Sequence, residues 1–149
     1  MSQSNFVEFL KRLAEALQLE DTEYFLEIGA LNIDGVNVFI KAAGEAVDTG
    51  ILCYFLIGEI LESHAESVLT ELLALNLHVD TKTEGVFACD PLGNQAYLNM
   101  HVENIDTLSA EQFAVGLSTC AAQAKFVRQN IFGFSTPESQ RGDTEVSLA

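Results

Sequence analysis

Three histidines and three cysteines are the residues of this 149-residue chain best suited to hold a metal or attack a substrate. Their spacing argues against both. His64, His78 and His101 match no metal-ligand pattern such as HExxH. His64 reads as an exposed residue in the first turn of a helix and His78 as a residue just past a helix. His101 reads as a member of a strand's polar face. Solvated or structural roles are the favoured reading for all three. Cys53, Cys89 and Cys120 are odd in number, form no CxxC pair and each lie in an apolar segment. That pattern predicts buried reduced thiols, not a disulfide framework or metal site. Cys89 beside Asp90 raises the idea of a thiol nucleophile, but no helix N-terminus or basic neighbour is in view to lower its pKa. No GxSxG, P-loop or GxGxxG occurs. The acidic residues are spread from Glu8 to Glu145, so no carboxylate pair stands out. The expectation is a protein that is not an enzyme and uses no metal or cofactor.

Composition narrows the class. Hydrophobic residues are 48% and charged residues 19%, which suits one domain with a packed core. Seven basic residues against 22 acidic ones give a net charge of −15. Such a surface repels nucleic-acid phosphate and anionic lipid, and can attract a basic protein segment. An acidic mimic of nucleic acid is a weaker reading, because it needs a regular exposed array of carboxylates. No basic stretch leads into an apolar one at the N-terminus, so no signal peptide is expected. The longest apolar run, Ile51 to Ile57, is too short to span a bilayer.

The elements that would position any site follow from periodicity. Phe6, Phe9, Leu10, Leu13 and Leu17 recur at helical spacing, and Asn5 with Glu8 resembles a capping box. A hairpin follows around Asp34-Gly35. Its first strand is read to carry Leu26 and Ile28 on one parity and Leu31 and Ile33 on the other, with a bulge at Gly29. Val36, Val38 and Ile40 alternate in its second strand. "GILCYFLIGEI" reads as a central strand. Ser63 and Glu66 form the cap of a second helix, whose stripe of Val68, Leu69, Leu72, Leu73 and Leu77 is widened by Ala65 and Leu75 beyond one core contact. Two strands flank Asp90-Pro91-Leu92-Gly93, a turn by chemistry in which Gly93 tolerates positive φ. Before that turn both faces are apolar, Val86 and Ala88 on one and Phe87 and Cys89 on the other. Ser109 and Gln112 cap the last helix, and Lys125 and Arg128 suit its dipole. The order is helix, three strands, helix, two strands, helix. It predicts one α+β domain over residues 1–133 with a twisted, mostly antiparallel sheet. Residues 134–149 read as a polar, disordered tail.

The second half resembles the CesT/Tir type (class I) of type III secretion chaperones. The resemblance is carried by Leu72, Leu73, Asn76 and Leu77 in "LTELLALNL", by Phe87, Asp90, Pro91 and Gly93 in "GVFACDPLGNQAYLNMHVE", and by Ala124 with Arg128 in the last helix. Length, acidity and element order agree over roughly Asn5 to Phe132. The resemblance implies a homodimer in the cytoplasm of a Gram-negative bacterium. Such a protein uses no ATP, binds the N-terminal region of a secreted effector in extended form, and keeps it fit for secretion. The alternative is a small α+β ligand-binding or regulatory protein of related shape with no secretion client.

On this reading the surplus apolar surface has two uses. Val68, Leu72 and Leu75 of the second helix, with Phe87 and Cys89 of the hairpin strand, are expected to meet a twin subunit. Phe6, Leu10 and Leu13 of the first helix, with Leu26, Ile28, Val36 and Val38 of the first hairpin, are candidates for effector contact, with an exposed sheet edge adding a strand of the client. The same spacings arise in any folded core, so each of these residues also has a plain core reading.

Overall fold

The computed structural model describes residues 2–44, 50–78, 85–103 and 109–132. Helix α1 (Ser2–Leu17) and a short helix α2 (Thr22–Ile28) lead into strands β1 (Ala30–Ile33), β2 (Val36–Ala42) and β3 (Ile51–Glu59). A 3-10 turn (Glu62–His64), helix α3 (Ala65–His78), strands β4 (Val86–Asp90) and β5 (Gln95–Val102), and helix α4 (Ala110–Ile131) complete the order. The five strands form one sheet in the order β1-β2-β3-β5-β4, and every pairing is antiparallel. The α+β class and its antiparallel sheet match the expectation. The tail from residue 134 lies outside the described residues.

One strand reading is wrong. Leu26 and Ile28 belong to α2, not to a strand. The Asp21 side chain accepts from the Tyr24 backbone N–H at 3.1 Å, so it caps the helix N-terminus. Gly29 ends the helix at φ 79°, and a Cβ there would sit 2.4 Å from the Ile40 carbonyl oxygen. Gly29 is thus a left-handed helix stop and not a bulge. The bulge lies in β3 instead, where the register shifts between Leu56 and Gly58. Seven residues are two helical turns, too few for the 3.6-residue period to stand out from alternation.

Two caps also fail. Helix α1 already runs from Ser2, so Asn5 is interior to it; Glu8 pairs instead with Lys11 at 3.6 Å. Ser63 lies inside the 3-10 turn, where its hydroxyl is 3.1 Å from His64 Nδ1, and that turn begins without a side-chain cap. The box at Ser109 is present: its hydroxyl accepts from the Gln112 N–H at 3.0 Å, and the Gln112 side chain reaches back to the Ser109 N–H. Both turns form between the expected strands. Asp34 and Gly35 take φ 54° and 91° between the paired residues Ile33 and Val36, the conformation that favours Asp-Gly. At the second turn the positive φ of 54° falls on Asn94 rather than Gly93, while the Asp90 side chain accepts from the Leu92 N–H at 3.0 Å. Asparagine tolerates that region nearly as well as glycine, which is why the two positions are hard to tell apart by composition.

The core fills the space between one face of the sheet and helices α1 and α4. Val36, Val38, Ile40, Ile51, Cys53, Phe55, Ile57, Ala96, Leu98 and Met100 turn inward from the strands. Phe9, Leu10 and Leu13 meet them from α1, and Phe113, Leu117, Cys120 and Val127 from α4. Phe9 and Phe113 pack edge to face with centroids 5.2 Å apart, which ties the two helices together.

Candidate functional site

Helix α3 packs beside β4 and joins the core from there. Val68 and Leu72 are buried and Leu75 is half-buried. The exposed positions include Glu66, Ser67, Thr70 and Glu71 but also three leucines: Leu69, Leu73 and Leu77 are 36%, 70% and 80% exposed. They stand four residues apart and share one stripe. The residues expected to meet a second subunit therefore divide. Val68, Leu72 and Phe87 are core within one chain, and Cys89 is exposed. The free apolar surface of the helix is carried by Leu69, Leu73 and Leu77 instead. Leucines on both sides are the pattern of a buried helix, yet this one shows three of them to solvent.

Asn76, in the last turn of α3, fixes the helix to the sheet. Its Nδ2 donates to the Phe87 carbonyl at 2.9 Å, and its Oδ1 accepts from the Phe87 N–H at 2.7 Å. Phe87 is on β4, an edge strand, and these are backbone groups turned away from β5. One amide side chain thus stands in for a neighbouring strand at that point. This is the asparagine quoted above in "LTELLALNL".

The opposite edge, β1, has no such seal among the described residues. The Ile40 N–H donates to the Gly29 carbonyl at 2.8 Å, which sets the phase of the ladder. Alternate residues then face outward, so Ala30 and Asn32 direct their backbone N–H and C=O groups away from β2. A cleft of about 430 Å³ runs beside this edge, lined by Leu19, Glu20, Asp21, Tyr24, Phe25, Leu31, Asn37 and Phe39.

The residues expected to touch an effector are spread over two environments. Leu10, Leu13, Val36 and Val38 are core residues, closed to a client in the folded chain. Phe6 and Leu26 are half-buried at its margin, and Ile28 is exposed at the end of α2. The surface beside β1 is instead built by Tyr24, Leu31 and Phe39. Residues of the α1–α2 turn also line it, and no periodicity singles them out.

Arg128 has a more specific role than answering a helix dipole. Its Nε donates to the Ile57 carbonyl at 2.5 Å, one terminal nitrogen to the Leu56 carbonyl at 2.8 Å, and the other to the Gly35 carbonyl at 3.3 Å. Both β3 carbonyls lie past the last β2 pair at Phe55 and beside the register shift, and the guanidinium takes them up. Lys125 adds a 3.6 Å pair to Asp34. Helix α4 is thereby clamped to the first hairpin at its C-terminal end.

The chemistry-bearing residues are not gathered. Cys53 and Cys120 are buried, and Cys120 Sγ lies 3.6 Å from Met100 Sδ. Burial, with Cys120 adding to it, pushes the Cys53 thiol well above its ordinary pKa, so it stays protonated and inert. Cys89 departs from the expected burial because it sits at the outer end of β4. His64 lies in the 3-10 turn, His78 closes α3 and His101 is exposed on β5, each on a separate element. Among the described residues no group of three or more His, Cys, Asp or Glu is placed to hold a metal ion, and no helix is long and apolar enough to cross a membrane. A second cleft, about 520 Å³, lies on the sheet face away from α1 and α4. It is lined by Phe39, Lys41, Tyr54, Tyr97 and Asn99, with residues of β4. Lys41 Nζ stands 5.5 Å over the Tyr54 ring, and Asn99 Oδ1 is buried without a hydrogen-bond partner. A scan of protein-family models and a search of curated proteins both returned no match to this chain.

Proposed function

We propose that the protein is a non-enzymatic chaperone of type III secretion, working as a cytoplasmic homodimer that holds the N-terminal segment of a secreted effector in extended form. The observation that carries this reading is α3. Its inner leucines are spent on the core and its outer leucines, Leu69, Leu73 and Leu77, remain exposed. A second copy meeting the first through this stripe would cover both at once, as a two-fold interface requires. The client would then take the open β1 edge, where backbone groups offer pairing to any extended chain and side-chain pockets give selectivity. The motifs that resemble the chaperone family support the same reading, because their residues hold the framework: Asn76 joins α3 to β4, Asp90 orders the hairpin turn, and Arg128 clamps α4 to β3.

The test is a pull-down from the native bacterium with the tagged full chain, with and without ATP. Recovery of a secreted protein through its N-terminal region, unchanged by ATP, is the expected result. Absence of any secreted protein, together with turnover of a small molecule, contradicts it. The alternative, a small ligand-binding or regulatory protein, is favoured by the second cleft and its unpartnered Asn99 Oδ1. Co-purification of a small molecule in place of a polypeptide would select it.

A further inference from the structure

The cleft beside β1 has a chemistry that an apolar groove would lack. Its lining is partly aromatic and aliphatic, with Phe25, Leu31, Phe39 and Tyr24, the last 53% exposed. Two carboxylates, Glu20 and Asp21, line it as well. One oxygen of Asp21 caps α2 through the Tyr24 N–H, and among the described residues neither carboxylate has an ion-pair partner. The nearest lysine on β2, Lys41, lies beyond Phe39 and is engaged over the Tyr54 ring. The outward backbone groups of Ala30 and Asn32 lie along the same cleft, so a chain paired to β1 would lay alternate side chains over it.

We infer that this cleft is the subsite for a basic side chain, arginine above all, of an extended peptide paired to β1. A guanidinium is planar and weakly hydrated. It stacks on an aromatic ring while its edge donates to carboxylates, which is the combination Tyr24, Phe39, Glu20 and Asp21 present. The net charge of −15 draws such a segment toward the protein before contact. The inference takes from the proposed function only that β1 accepts an extended chain. It adds the kind of side chain that fixes the register: a basic residue among alternating small apolar ones.

The experiment uses the full chain and two dye-labelled nonapeptides of alternating threonine and valine. One carries a central arginine, the other norleucine. Fluorescence anisotropy should show the arginine peptide bound about fivefold or more tightly, with the preference shrinking in high salt. Glu20→Gln and Tyr24→Leu alter exposed side chains, and thermal melts confirm that each variant folds. Each should cut the arginine preference, the ratio of the two affinities, by about threefold. Equal binding of the two peptides, no binding of either, or a preference that survives both substitutions would overturn the inference. Its failure is distinct from failure of the chaperone reading. A recovered effector indifferent to Glu20→Gln removes the subsite alone, whereas an arginine preference without a secreted client removes only the chaperone role.

Discussion

The two edges of the sheet are finished in opposite ways. At β4 the Asn76 amide occupies both backbone groups of Phe87, so that edge is joined to a helix. At β1 the outward groups of Ala30 and Asn32 face a cleft. Unpaired edges invite association, and proteins close them or keep them short; β1 is only four residues long. The edge held at Phe87 carries the helix with exposed leucines, and the β1 edge carries the acidic, aromatic cleft. Self-association at one flank and peptide capture at the other would therefore not compete for the same surface. Polar side chains fix the fold where backbone groups would otherwise be stranded, at Asn76 and at Arg128. Apolar side chains are left exposed on α3, at Leu69, Leu73 and Leu77.

The largest effect should come from the two sides of α3. Leu72→Asp places a carboxylate in a site only 3% exposed and should leave little folded protein. Leu73→Glu, one residue on, should keep the fold and lower the solution mass to that of a monomer. Circular dichroism with sedimentation separates the outcomes, and equal behaviour of the two variants would erase the distinction between the faces. A smaller difference is expected between two asparagines. Asn76→Ala strands both backbone groups of Phe87 and should cost about 2 kcal/mol in urea unfolding. Asn32→Ala removes the exposed bonds from its amide to Asn37 and from the Gly35 N–H, and should cost about 0.5 kcal/mol. Similar losses for both would mean that Asn76 does not seal the edge.

Much of the fold was legible because long elements show their period. The eleven-residue span "GILCYFLIGEI", Gly50 to Ile60, reads as a central strand, and β3 is the middle strand of the sheet. The Asp34-Gly35 turn and the Ser109 cap are local chemistry, so they too could be read directly. Helix α2 was not legible, since its two turns alternate much as a strand does. The candidate site was less legible than the fold. Leucine spacing on α3 reveals a surplus but not which side faces the sheet, so Leu72 and Leu73 are indistinguishable until β4 is placed. The roles of Asn76 and Arg128 depend on partners 11 and 71 residues away in the chain. The cleft beside β1 is assembled from a turn, a short helix and two strands, and no single stretch of sequence contains it.

The claim that α3 is a meeting surface is tested most directly by the mass of the full, unmodified chain in solution. Multi-angle light scattering at micromolar concentration should give about twice the chain mass of 16.2 kDa. A value of 16.2 kDa across that range would contradict the account, leaving Leu69, Leu73 and Leu77 exposed with no second copy to cover them.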